Sequence, residues 1–206
     1  MAMVATSVSV VPGPLPNAAA LDARLQPLRS RFPRAHLDRY LDRLPVLADD
    51  VLVAPGAALV GGVHLGPDVS IWYAAVLRAD LADIIVGARS NVQDGTVVHV
   101  ADGTPCVIGE DVVVGHRAML HACRVEDACL IGMQATVLDG AVIGTGSIVG
   151  AGALVPQGTV VPPHSRVLGV PGKVVRTLTD GDVQFHRAMA AKYVRLKENY
   201  RRDALR

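Results

Sequence analysis

Three histidines, His99, His116 and His121, stand in runs of aliphatic residues: GTVVHV over 95–100 and VVVGHRAMLHAC over 112–123. Neutral imidazole is the commonest metal ligand, so the trio is a candidate metal site if the fold brings the rings together. His116 follows His99 by seventeen residues and precedes His121 by five. Ligands on one helical face recur every three or four residues. These spacings fit no helical face, so another element must position the rings.

That element is a six-residue repeat. Aliphatics recur at Leu59, Leu65, Ile71 and Leu77, slip by three, and resume at Val86, Val92 and Val98. A loop at about 100–107 precedes Ile108, Val114 and Leu120, and one five-residue step leads to Val125. The period then holds through Ile131, Val137, Ile143, Val149, Val155 and Val161 to Val167. Glycine directly follows seven of these positions, at Gly66, Gly87, Gly109, Gly115, Gly132, Gly144 and Gly150. Sandwich strands alternate with period two and recur every 8–12 residues. A period of six is that of the hexapeptide repeats of a parallel β-helix. Three sixes close one triangular coil, inward aliphatics stack on one another, and coils lie about 4.8 Å apart.

The expected organisation is all-β. An extension over 1–45 carries a disordered arm over 1–18 and short helices around LDARLQPLRSRF and AHLDRYLDRL. The β-helix follows over 46–175, and a C-terminal segment over 176–206. In that last segment Thr179 or Asp180 suits an N-cap. Val183, His186, Ala190, Tyr193, Leu196 and Tyr200 recur at helical spacing. The spacing predicts a helix from about 180 to 202, packing this stripe along the prism.

The repeat accounts for the histidine spacing. His99 and His121 each follow an inward aliphatic and lie 22 residues apart, one coil of eighteen plus a four-residue insertion that the 100–107 loop can hold. They are therefore expected to stack on one edge. Zinc–nitrogen bonds place two ligand nitrogens about 3.4 Å apart in a tetrahedral site, within reach of stacked rings. His116 follows Val114 and Gly115, so it belongs to the preceding rung and a different corner. In a threefold assembly, His116 of one subunit can complete the site begun by His99 and His121 of the next. That gives one metal per interface of a homotrimer. Three neutral nitrogens and an open position describe a catalytic rather than a structural zinc site. Fe(II) and Co(II) suit the same donors. His36, His64, His164 and His186 lack such registration and read as satisfied structural residues.

Composition narrows the partners. Half of the 206 residues are hydrophobic but only 3% aromatic, so the core must be Val, Leu, Ile and Ala. A net charge of +1 argues against a nucleic-acid surface. No apolar run approaches the roughly 18–20 residues of a membrane span, and no signal peptide is expected. Cys106, Cys123 and Cys129 form no CxxC pair and fit reduced thiols, hence a cytoplasmic location.

The blocks APGAALVGGVHLG, SIWYAAVLRAD, NVQDGTVVH, GHRAMLH, GMQATVLDGAVIG and LGVPGKVVR, in this order, resemble the γ-class carbonic anhydrase family, over about Ala54 to Tyr200. The resemblance implies a left-handed β-helix homotrimer with metal at its interfaces, ligated by His99, His116 and His121. It implies reversible hydration of CO₂ to bicarbonate by metal-bound hydroxide. Asn91 and Gln93 match residues near the metal-bound water and CO₂. Arg78 and Asp80 match charged residues that join Asp94 across the interface, and Tyr193 matches a tyrosine that reaches the active site. Read as residues alone, Asn91, Gln93 and Asp94 also satisfy turn backbone, Arg78 and the two aspartates also suit assembly, and Tyr193 also suits helix packing. The loop VADGTPC carries only Asp102, so the chain resembles the subclass lacking the acidic proton-shuttle loop. Two other readings are an acyltransferase or thioesterase acting on CoA-type thioesters, and a noncatalytic metal-binding assembly protein, since fold does not fix function.

Overall fold

A computed structural model describes residue 15 and residues 17–204. The arm expected over 1–18 lies, except for residues 15, 17 and 18, outside the described residues.

All eighteen repeat aliphatics point inward, each between 0% and 4% exposed. Parallel pairing places them in three columns. Leu59, Leu77, Val98, Leu120, Val137 and Val155 form the first. Leu65, Val86, Ile108, Val125, Ile143 and Val161 form the second. Ile71, Val92, Val114, Ile131, Val149 and Val167 form the third. Most strands are two or three residues long, because each side of a coil needs only one inward residue and its neighbours before the next corner. Each buried aliphatic stabilises the prism by about 1.5–3 kcal/mol relative to exposure. A bare α-carbon is required where the next coil passes close. A Cβ on Gly132 would stand 2.4 Å from Ala151 N, inside any allowed contact.

Two long strands depart from the short-rung pattern. Ala58–Leu65 and Val76–Val86 run around a corner without a turn. Their register shifts between Gly61 and Val63, so that Gly61 faces Ala79 and Val63 faces Ile84. The three-residue slip in the repeat is therefore a local bulge that lifts residues 80–83 out of the coil. It delivers Asp80 to the edge occupied by His99.

Helix α1 (Ala18–Arg31) buries Leu21 and Leu25, and its Arg29 donates to the carbonyl of Leu37 and to Asp38. The second helix expected in the extension, over AHLDRYLDRL, is absent. His36–Asp38 is a strand paired parallel to Ala58–Val60, with Leu37 buried on Leu59. The exposed edge of the first full coil offers unpaired backbone groups, and satisfying them outweighs a helical spacing of apolar residues. Stacking thus begins ten residues before the expected boundary at 46.

Helix α2 (Asp180–Ala204) packs against Ser70–Ile71 and Val113–Val114 on the third face. Thr179 caps it: Asp182 N donates to Thr179 Oγ1, and Thr179 N donates back to Asp182 Oδ2. His186 and Ala190 are buried and Tyr193 is half-buried, as the stripe predicts. Leu196 is not part of it. Its place is taken by Lys197, fully buried, which keeps the helical phase of 186, 190 and 193. The Lys197 ammonium donates to Asp50 O at 2.7 Å and to Asp68 Oδ1 at 2.6 Å, so its charge is paired.

Candidate metal centre

His99 ends the strand Val97–His99 and His121 ends Met119–His121. The two strands are parallel neighbours with His121 directly opposite His99. Their rings lie 5.0 Å apart, and His99 Nδ1 stands 3.0 Å from His121 Nε2. The outer nitrogens face carboxylates. His99 Nε2 is 3.1 Å from Asp80 Oδ1, and His121 Nδ1 is 2.5 Å from Asp139 Oδ1.

These partners decide where the protons sit. A carboxylate only accepts, so each ring donates its one N–H outward. His99 then carries its proton on Nε2 and His121 on Nδ1. Both lone pairs are left pointing at each other across 3.0 Å. Two facing lone pairs repel unless a cation stands to one side of the line joining them, within bonding distance of both. Burial opposes the charge of Asp80, but hydrogen bonds from His99 and Arg78 outweigh it and hold its carboxyl below the usual range. Burial pushes His99 below the usual imidazole range despite Asp80, so the ring is neutral at neutral pH and able to ligate. The donor set therefore fits Zn²⁺, Fe²⁺ or Co²⁺.

His116 sits at the corner after Val113–Val114, on the third face, away from this pair. Its Nδ1 donates to Asp94 Oδ2 at 2.8 Å, which directs Nε2 outward. All three rings thus show the carboxylate–histidine pairing that orients metal ligands. Among the described residues, no group of three or more His, Cys, Asp or Glu side chains in the single chain is disposed to hold a metal.

The other expected residues fall in two places. Within the chain, Arg78 donates to Asp80 at the His99 edge, and Asp94 accepts from His116. Asn91 and Gln93 are buried on the third face, the face that α2 packs against, where Gln93 Nε2 donates to Asn91 Oδ1 at 3.0 Å. That bond fixes the plane of the Gln93 amide. Tyr193 packs edge-on to Trp72, ring centroids 5.8 Å apart. Burial, then the nearby charge of Asp94, raises its phenol above the ordinary value. Asp102 lies in the tight turn closed by Ala101 and Thr104.

Comparison with known proteins decides the family. The bacterial transferase hexapeptide (six repeats) profile matches residues 122–157. A probable carbonic anhydrase of Methanocaldococcus jannaschii is 50% identical over 153 residues, 74% of this chain and 96% of that protein. The mitochondrial gamma carbonic anhydrase 2 of Arabidopsis thaliana is 41% identical over 175 residues, 79% of this chain and 63% of that longer protein. The chain belongs to the γ-class carbonic anhydrase family. Among solved structures, a putative acetyltransferase of Bacillus cereus superposes with a TM-score of 0.79. It is 37% identical, covering 81% of this chain and 97% of that one.

Asp139 was not singled out in the sequence. It lies in VLDG, eighteen residues after His121, one coil length further on. A search for carboxylates one coil away from each histidine would have found it.

Proposed function

We propose that the chain is a metal-dependent carbonic anhydrase that hydrates CO₂ reversibly at the interfaces of a homotrimer. The observation that carries this reading is the pair of ring nitrogens, His99 Nδ1 and His121 Nε2, 3.0 Å apart on one edge, with the other nitrogen of each ring facing a carboxylate. The relatives named carbonic anhydrase support the activity. Two ligands from one edge leave a third to be supplied, and on this reading His116 of a neighbouring subunit supplies it.

A bound divalent metal supplies Lewis acidity that makes water a nucleophile near neutral pH. The remaining work falls to side chains of this chain. Gln93, its amide plane fixed by Asn91, orients water and CO₂. Tyr193 closes the site from α2. The Arg78–Asp80 pair keeps His99 oriented at the interface. With Asp102 as the one acid in the 100–107 loop, protons leave to water and buffer.

No described helix is long and apolar enough to cross a membrane. The free thiols Cys106, Cys123 and Cys129 support a cytoplasmic location.

The test is stopped-flow CO₂ hydration on protein as isolated, after chelation, and after anaerobic reloading with Zn(II) or Fe(II), with metal content measured on each sample. Activity that vanishes and returns with metal supports the proposal and names the competent ion. A fully loaded trimer that is silent in strong buffer overturns it. The likeness to a putative acetyltransferase favours one second reading, acyl transfer or hydrolysis on a CoA thioester. Turnover of acetyl-CoA that survives chelation would establish that reading. A loaded trimer silent on both substrates would be a metal-binding assembly protein.

A further inference from the structure

The pairing of His99 with His121 has two chemical forms. If both outer nitrogens are protonated, two lone pairs meet and the pair binds a cation. If one ring instead carries its proton inward, an N–H···N hydrogen bond joins the rings at the same 3.0 Å and no cation is needed. The protein must choose between these forms, and the choice lies with the groups on the outer nitrogens.

On His99 that group is Asp80, part of the charged set already described. On His121 it is Asp139, for which no role follows from the ligand set itself. We infer that Asp139 is the positioning residue that selects the metal-binding form of His121. Its carboxylate accepts the Nδ1–H at 2.5 Å and so keeps Nε2 unprotonated and facing His99. This inference rests on the reading of His99 and His121 as metal ligands.

Several features fit that role. Asp139 is brought to His121 by the coil that follows, since Leu120 faces Val137 and His121 therefore faces Leu138. The backbone there is anchored, because Gly158 N donates to Asp139 O and Gly140 N donates to Ala122 O. Gly140, with φ of 65°, makes the turn immediately after it. The side chain is 38% exposed, so it reaches His121 from the solvent side of the edge. Without an acceptor on Nδ1, the imidazole is free to move its proton to Nε2. The proton then occupies the Nε2 lone pair that a metal ligand needs.

The experiment has two parts. First, ¹⁵N-edited NMR of metal-free wild-type protein reads the His121 tautomer directly. A proton on Nδ1 is expected, and a proton on Nε2 overturns the inference without any variant. Second, Asp139→Ala and Asp139→Asn are compared with wild type for Zn(II) affinity by chelator competition, with the Co(II) visible spectrum and far-ultraviolet circular dichroism on the same samples. Asp139→Ala should lose roughly 10–100-fold in affinity, move the His121 proton to Nε2, and alter the Co(II) spectrum with the fold intact. Asp139→Asn keeps a neutral acceptor and should fall between. Folded variants with wild-type affinity and wild-type tautomer overturn the inference. If wild type itself binds no metal, the metal reading fails, while the tautomer of metal-free protein still decides whether Asp139 sets the ring.

Discussion

His186 on α2 donates from Nδ1 to the carbonyl of Ala128, 3.2 Å away at a corner of the prism, and buries the rest of its ring at 1% exposure. Among the described residues, its Nε2 has no hydrogen-bond partner. The helix is thus docked through an imidazole that uses one nitrogen and desolvates the other.

This docking predicts an acid-sensitive fold. Burial lowers the His186 pKa, with Asp182 one turn earlier partly opposing. The unfolded chain takes up this proton near pH 6.5, and the folded chain only at lower pH. Below pH 6.5 the unfolded state binds more protons, so stability falls as pH falls. His99 shifts in the same direction and adds to the slope. Urea midpoints of metal-free protein should therefore drop between pH 7 and pH 5. Replacing His186 with Met should flatten part of that drop, and an unchanged slope would contradict the assignment.

The division of ligands between faces predicts complementation. His116→Ala and His121→Ala proteins should each bind no catalytic metal. Under the proposed homotrimer, the two refolded together give mixed trimers in which random pairing leaves about a quarter of interfaces with all three histidines. Metal content and CO₂ hydration should recover to that level. Recovery of nothing, from trimers shown by native mass spectrometry to be mixed, would place all ligands in one subunit.

Cys129 should be inert. Burial pushes its thiol up to about 12, so the thiolate is on the order of one molecule in ten thousand at pH 8. Iodoacetamide should label Cys129 in urea and leave it unlabelled in the native protein over the same period. Peptide mass spectrometry reads both.

The columns predict a contrast between two neighbouring classes of residue. Leu120, at 0% exposure, sits in the first column between Val98 and Val137. Leu120→Ala should cost about 3 kcal/mol, from lost transfer energy plus the cavity left behind. Val160, at 70% exposure, faces outward from its rung. Val160→Ala should change stability by less than about 0.5 kcal/mol. Equal effects in chemical denaturation would mean the column does not carry the core.

The prism was readable because a coil repeats its instructions. Position after position asks for an aliphatic that fits over the one below, and no other period accommodates Leu59 through Val167. The stacking of His99 on His121 followed from that count once the insertion at 100–107 was included. Where the count breaks, legibility fails. His36–Asp38 carries a helical spacing, and only the presence of Ala58–Val60 beside it makes it a strand. Lys197 hid because a buried ammonium is acceptable only with Asp50 O and Asp68 in place, and those come from 147 and 129 residues away. Asp139 hid because VLDG reads as an ordinary turn, and only a count of eighteen from His121 sets its carboxylate beside that ring.

The stacked coils also set an order in time. Asp80, His99, His121 and Asp139 lie on successive turns of one solenoid, 59 residues from first to last. Synthesis at about 5–20 residues per second spreads their emergence from the ribosome over several seconds. During that interval His99 has its outer carboxylate but no opposing ring, and then His121 has its opposing ring but no outer carboxylate. A nascent chain therefore completes the chain of four side chains along this edge only when the turn carrying Asp139 has been laid down, well after most of the wall beneath it has closed.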